Sequence, residues 1–317
     1  MNLLITGGCG FIGSNFIEMV LDKKSEVVNK VVNLDALTYA GNLANTEGFD
    51  RSDKYIFENI DLRDFEQLCD MLDTHNITHI IHIAAETHVD NSISDPDVFI
   101  DSNIIGTYNL LKAAKKFNIK KLHHVSTDEV YGELGATGKF NEQTPYNPNN
   151  PYSASKAASD FLVRAYYHTY GLPVTISNCS NNYGPRQHSE KFIPTIIESV
   201  MDGKKIPIYG EGLNVRDWIY VKDHCEGLWS VFECGDLGQT YCIGAGCEKK
   251  NIEVVTTVCD ALGVDAHNYI SYVADRPGHD FRYAIDSTKI QQDLDWAPRH
   301  TFEEGIQTTV RWYYEKN

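Results

Sequence analysis

Short apolar runs alternate along the chain with longer stretches whose apolar residues recur at helical spacing. Residues 3–5, 31–34, 55–57, 80–83, 122–125 and 174–176 read as strands. Residues 11–22, 65–72, 99–117 and 152–170 read as helices between them. Such alternation predicts βαβ units, right-handed crossovers and a doubly wound, Rossmann-type parallel sheet, an α/β fold. After Cys179 the alternation breaks down and Gly and Pro become frequent, as in Tyr183-Gly184-Pro185 and Arg276-Pro277-Gly278. A smaller, irregular second lobe is expected there, with one helix over 193–201 and a strand over 218–221. The reading places the dinucleotide-binding domain in 1–180, rejoined by about 215–245, and a ligand-binding lobe in 181–214 and 246–317.

A chain of 317 residues with 42% hydrophobic positions can bury a full core without a metal or disulfide staple. The net charge of −16 argues against a nucleic-acid partner and against binding any anion through the overall field. A phosphorylated ligand therefore needs locally placed Arg, Lys and backbone N–H groups. None of the eight cysteines is spaced Cys-x-x-Cys, so free thiols in a reducing compartment are expected, and no metal site. The N-terminus lacks a signal-peptide pattern, and no apolar stretch reaches the length of a membrane span. A cytoplasmic protein is expected.

Candidate chemistry lies at three places. Gly7-Gly8-Cys9-Gly10-Phe11-Ile12-Gly13 follows the first strand and opens the first helix, the setting in which Gly-x-Gly-x-x-Gly cradles a pyrophosphate. Asp35 ends the second strand, where a carboxylate bonds an adenosine ribose and repels a 2′-phosphate, favouring NAD over NADP. Asp61-Leu62, after the third strand, is placed near the adenine, although Asp61 by itself also reads as a helix N-cap. Tyr152 and Lys156 lie one helical turn apart, and a nearby cation is expected to lower the phenol's pKa and make it a base. Asp128 and Glu129 follow the fifth strand beside Thr127. In an enclosed cleft the two cannot ionise equally, which leaves an acid beside a base, as elimination of water requires. Isolated, either pair would read as a solvated surface.

With these elements in place, the chain resembles the nucleotide-sugar 4,6-dehydratases of the extended short-chain dehydrogenase superfamily. The resemblance runs over nearly the whole chain. It includes Leu37-Thr38-Tyr39-Ala40-Gly41-Asn42, Ala84-Ala85-Glu86-Thr87-His88-Val89-Asp90, Thr127-Asp128-Glu129, Tyr152 to Lys156, Asn178 to Pro185, Arg216-Asp217-Trp218 and Asp275 to Asp280. It implies NAD as a recycled cofactor, touched by Ala84 and Asn178 as well as by the residues above. It implies Tyr152 as base at the C4 hydroxyl steadied by Thr127, Glu129 as base at C5, and Asp128 as acid at the C6 hydroxyl. It implies His88, Asn182, Lys191, Arg216, Asn251, Arg276 and His279 as contacts of a nucleoside-diphosphate hexose, in a homodimer that serves deoxysugar synthesis such as that of rhamnose. Thr87 replaces a more usual Ser, and Asn91 stands where many bacterial members carry Arg. Both are similar to the UDP-glucose-using relatives, so dTDP-glucose and UDP-glucose both stay open. Two other readings share part of this set: a UDP-sugar 4-epimerase or UDP-glucuronate decarboxylase, against which Asp128-Glu129 argues, and a non-catalytic NAD sensor, against which the intact set argues.

Overall fold

A computed structural model describes residues 1–275 and 279–316. Its first half follows the apolar pattern. Strands β1 (Asn2–Thr6), β2 (Lys30–Leu34), β3 (Tyr55–Glu58), β4 (His79–His82), β5 (Lys121–Thr127) and β6 (Val174–Cys179) alternate with helices. Those helices are α1 (Phe11–Lys23), α2 (Phe65–Thr74), α3 (Val89–Ser94), the short α4 (Asp97–Phe99), α5 (Gly106–Lys116) and α6 (Pro151–Tyr170). Helix α6 starts sharply because Asn150 and Ser153 form a capping box around Pro151. It ends on Gly171, whose φ of 69° suits the left-handed C-terminal cap.

The stretch expected as one helix over 99–117 is broken. Ile100–Ile105 forms a π-helical turn before α5. The wider turn frees the carbonyl of Asn103, which accepts the Ser159 hydroxyl at 2.6 Å. The Asn103 side chain meanwhile bonds both backbone groups of Glu86. An inserted π turn of this kind commonly marks a functional site.

The later chain is more regular than its pattern suggested. It contributes β7 (Asn181–Tyr183), α7 (Phe192–Met201), β8 (Ile206–Tyr209), β9 (Val215–Tyr220), α8 (Val221–Cys234), β10 (Thr240–Ile243) and β11 (Glu248–Lys250). Next come α9 (Asn251–Leu262), β12 (Ile270–Val273), α10 (Thr288–Leu294) and α11 (Phe302–Lys316). Val221, expected in a strand, is the first residue of α8.

Seven parallel strands form the main sheet in the order β10-β6-β5-β4-β1-β2-β3. The order reverses between β1 and β4, which opens a crevice at the carboxyl ends of the strands. Side chains alternate across the sheet: Leu3 and Ile5 join one core with α1 and α8, and Leu4 joins the other with α2 and α5. Chain 221–243 returns to this sheet through α8 and β10. The chain on either side of it forms two small sheets, β11-β9-β7 and β12-β8, while α10 packs back on α8 and β10. No helix among the described residues is long and apolar enough to cross a membrane. All eight cysteines are free, and no cluster of metal-ligating residues occurs among the described residues.

Candidate active site

Backbone geometry fixes the glycine loop. Gly7 adopts φ 73°, and a Cβ there would lie 2.7 Å from the Ala84 Cα. A Cβ on Gly13 would come 2.1 Å from the Gly7 carbonyl oxygen. Gly10 differs: its Cβ would meet one atom, that same oxygen at 3.3 Å, and otherwise open space. Gly10 is also the N-cap of α1, which has no side-chain cap and no acidic residue in its first turn. The helix dipole and its free N–H groups are therefore left for an external anion.

This loop forms the floor of a cleft of about 1110 Å³. Gly7, Gly10, Phe11, Ile12, Gly13, Asp35, Asp61, Leu62, Ala84 and Lys191 all line it. Asp35 is almost fully buried and accepts Cys9 N–H at 2.9 Å and Leu37 N–H at 2.8 Å. Burial pushes its carboxyl up, and the two N–H groups oppose that. Each oxygen keeps a lone pair for a ribose hydroxyl. Asp61 does not cap α2; Asp64 does, accepting Gln67 N–H at 3.0 Å. Asp61 is instead clasped by the Arg63 guanidinium, which, with the Arg63 N–H, outweighs burial and holds its carboxyl below the ordinary range. An uncapped helix N-terminus, an open face at Gly10, a buried ribose-type carboxylate and apolar walls at Leu34, Ile60 and Leu62 fit a dinucleotide.

The second group sits at the ends of β5 and β6. Thr127 closes β5, and its hydroxyl accepts Glu129 N–H at 3.2 Å, winding Asp128–Tyr131 into a 3₁₀ turn. That turn buries Asp128 and leaves Glu129 partly accessible. Burial, then the charges of Glu129 and Asp217, push the Asp128 carboxyl well above its ordinary value, against Arg216. Its Oδ2 has no hydrogen-bond partner among the described residues. A buried carboxyl whose pKa is raised and whose second oxygen is unspent is suited to act as an acid.

Tyr152 and Lys156 enter on α6, both buried. The Thr127 hydroxyl bonds the Tyr152 phenol, which ties the acid–base turn to the helix. The phenol's pKa runs opposite to the sequence expectation. Burial, then Glu129, Cys179 and Asp128, hold it well above its ordinary value, and the Thr127 bond only partly offsets them. Lys156 spends a proton on the Val125 carbonyl at 2.8 Å, and burial lowers its own pKa. Asn178, buried on β6, donates to the Thr127 carbonyl at 3.0 Å and keeps an unpartnered Oδ1. It, Tyr152 and Lys156 lie outside the lining of the glycine-loop cleft.

The expected nucleotide contacts come from scattered elements. Lys191 donates to the Thr87 carbonyl at 2.9 Å across the cleft. Asn182 on β7 donates to the Ser180 carbonyl and has a buried, unpartnered Oδ1. Arg216 on β9 is buried, lies 4.3 Å from the Tyr283 ring centroid and donates to the Asp280 carbonyl. Asn251 begins α9, bonded through its N–H to the Asn214 carbonyl. His279 contacts Asp275 at 2.6 Å and meets Tyr209 edge-on. His88 caps α3, accepting Asn91 N–H at 3.3 Å. Arg276 lies outside the described residues.

Several groups at the site are given no individual role by the sequence, although Glu86 and Asp217 lie in stretches that carry the resemblance. Asp217 accepts Cys247 N–H at 2.8 Å, is pushed up to about 6 by burial, and adds its charge against ionisation of Asp128. Glu86 and Glu190 face the glycine-loop cleft from different lobes. Gly41 does carry a signal: a Cβ there would lie 2.7 Å from Asp35 Oδ1, so this glycine lets the Leu37–Asn42 stretch fold over the carboxylate.

A parallel sheet with this loop, a Tyr–Lys helix and an acid turn at adjacent strand ends defines an extended short-chain dehydrogenase. The chain belongs to the GDP-mannose 4,6 dehydratase family, whose model matches residues 4–309. It is 49% identical to a dTDP-glucose 4,6-dehydratase of Xanthomonas campestris, over 98% of this chain and 92% of that one. Among solved structures it is similar to the dTDP-glucose 4,6-dehydratase of Streptomyces venezuelae with NAD bound, at a TM-score of 0.96 and 45% identity, covering 99% of this chain and 97% of that one. It is also similar to the dTDP-glucose 4,6-dehydratase of Bacillus anthracis in complex with NAD, at a TM-score of 0.92 and 47% identity, covering 100% and 97%.

Proposed function

We propose that the chain is an NAD-dependent hydro-lyase that converts dTDP-glucose to the 4-keto-6-deoxyglucose nucleotide. The observation that carries this reading is Asp128, a buried carboxyl whose pKa is pushed up by burial and by Glu129 and whose Oδ2 has no partner among the described residues, placed beside Glu129 and Tyr152. An epimerase needs the tyrosine alone; elimination of water needs a second acid and a second base. NAD, held along Gly7 to Gly13 and by Asp35, supplies a hydride acceptor for C4 and returns that hydride at C6.

The protein groups move protons. Tyr152 reacts as the phenolate, its own proton first lost to solvent against the raised pKa, and its Oη then takes the proton of the C4 hydroxyl, with Thr127 holding the same oxygen. The ketone then acidifies C5, whose proton passes to a Glu129 carboxylate oxygen. Asp128 gives its proton to the C6 hydroxyl, which leaves as water. Glu129 returns its proton to C5 as C6 is reduced. One proton is left on Tyr152 and one is missing from Asp128, and solvent resets both. Lys191, Asn182, Arg216, Asn251 and His279, with His88 and Arg276, are read as holding the nucleoside diphosphate and sugar, since local cations and amides must offset the net charge of −16.

We further read the chain as a cytosolic homodimer. Ile100 (44% exposed), Ile105 (43%), Tyr108 (41%) and Phe161 (57%) lie on the π turn, α5 and α6, and an exposed apolar face of this kind supports pairing with a second copy.

Turnover of dTDP-glucose and UDP-glucose side by side, with product analysis, tests the reading. A 4-keto-6-deoxy product formed faster from dTDP-glucose is expected. A C4-epimer would refute it, and preference for UDP-glucose would move the base assignment to uracil. Asp35→Ala should weaken NAD and narrow its advantage over NADP, measured by titration of both cofactors. It also strands the Cys9 and Leu37 N–H groups, at about 1–3 kcal/mol each if they stay buried. Equal affinity for NAD and NADP in the unmutated chain would contradict the role of Asp35.

A further inference from the structure

Behind the catalytic face of α6 runs a buried polar chain that the dehydration steps do not touch. Asp160, one helical turn past Lys156, is fully buried. The Tyr146 hydroxyl donates to its Oδ2 at 2.7 Å, and Arg164 donates to Tyr146 at 2.9 Å from the far side. His124 Nε2 stands 3.1 Å from Asp160 Oδ1. From His124 the contact continues to the ring of His82 at 5.2 Å, whose nitrogens meet the hydroxyls of Thr6 and Thr107. Four elements, β4, β5, α6 and the loop before α6, converge on this spot.

A buried carboxylate with one oxygen bonded to Tyr146 and the other beside His124 needs a reason, because replacing such groups with apolar ones is often neutral or stabilising. Lys156 supplies one. Its ammonium is buried and, on the protein side, bonded to a single carbonyl, that of Val125. The groups that interact with its charge are His82 from β4, His124 from β5, Cys179 from β6 and Asp160 one turn along its own helix. Burial drives both histidines toward the neutral form, and the Cys179 thiol is pushed up to about 12, so neither type balances a charge at neutral pH. The Asp160 carboxyl stays below its ordinary value: burial opposes this, but His124, Lys156 and the Tyr146 bond prevail. Asp160 is thus the standing anion of the set.

We propose that Asp160 is a positioning residue, the counter-ion that keeps the Lys156 ammonium charged and fixed on the Val125 carbonyl. The proposal rests on the reading of Lys156 as the helper of Tyr152. Asp160 itself touches no reacting atom. Tyr146 holds one of its oxygens, Oδ2, and His124 stands 3.1 Å from the other.

Asp160→Asn tests this, because the amide oxygen still accepts from Tyr146 while the charge is lost. In the NAD-bound protein with 13C-labelled lysine, the Lys156 resonance is identified by its absence in Lys156→Arg. Its titration should move to lower pH in Asp160→Asn and stay near the unmutated position in Asp160→Glu. The kcat/KM profile of Asp160→Asn should gain an alkaline limb that falls roughly tenfold per pH unit above the shifted value, a limb absent from the unmutated protein and from Asp160→Glu. An unchanged Lys156 titration in a folded Asp160→Asn overturns the proposal, whatever happens to thermal stability. If Asp160→Asn does not fold, the unmutated chain decides: an ammonium at Lys156 around pH 8 supports the proposal and a neutral amine there overturns it. Failure to dehydrate any sugar nucleotide would refute the proposed function but leave the lysine titration to judge Asp160.

Discussion

Replacing Tyr152 with Phe is expected to lower turnover of dTDP-glucose by ~10²–10⁴-fold, the range typical for loss of one general acid–base group. The whole cycle should stop at its first step, because no later proton transfer has a substrate until C4 is a ketone. Rapid mixing with substrate should then show no near-ultraviolet absorbance of reduced cofactor. The phenol packs edge-on against Phe99 at 6.3 Å and is buried, so Phe keeps the packing and the fold should survive. Normal turnover in Tyr152→Phe would remove Tyr152 from the mechanism.

The direction of the Tyr152 shift shows where a pattern of residues stops being informative. Tyr-x-x-x-Lys places a cation one turn away, and that much is correct. The spacing says nothing of burial, or of Glu129, Cys179 and Asp128 arriving from β5 and β6. Desolvation and then three acidic neighbours raise the phenol, with the Thr127 bond opposing them. The Asp128-Glu129 turn is the opposite case. Its chemistry depends on two adjacent residues at a strand end, so the sequence alone carries the inequality between acid and base that Asp128 displays.

The fold divides in the same way. Strands β1 to β6 are apolar runs in a parallel sheet covered on both faces, and their positions follow from hydrophobicity within three residues. Strands β7 and β11 have three residues each, too few for any period to appear, and β11 is Glu248–Lys250, with no apolar residue at all. Helix α11 is readable in principle: Phe302, Ile306, Val310 and Tyr313 recur at helical spacing and are buried. The Gly- and Pro-rich segments before it point to loops instead. The chain from His124 through Asp160 to Tyr146 joins β5, α6 and the loop before α6, a contact no local period announces.

Asp128→Asn and Glu129→Gln carry the second large effect. Both should lose dehydration by ~10²–10⁴-fold while still permitting oxidation at C4, since that step uses Tyr152. Asn at 128 cannot donate a carboxylic proton, and Gln at 129 cannot accept one from C5. Asp128→Asn should also leave the fold intact, because burial already disfavours the charged carboxyl there and the amide nearly reproduces its shape.

The measurement that bears most directly on a 4,6-dehydratase is rapid mixing of Glu129→Gln, in its NAD-bound form, with dTDP-glucose. Near-ultraviolet absorbance of reduced cofactor should rise and persist, exchange of the C5 hydrogen with solvent should slow, and 4-keto-6-deoxy product should fall to trace levels. Dehydration by Glu129→Gln at the unmutated rate would contradict the account and return Glu129 to the role of an ordinary turn residue.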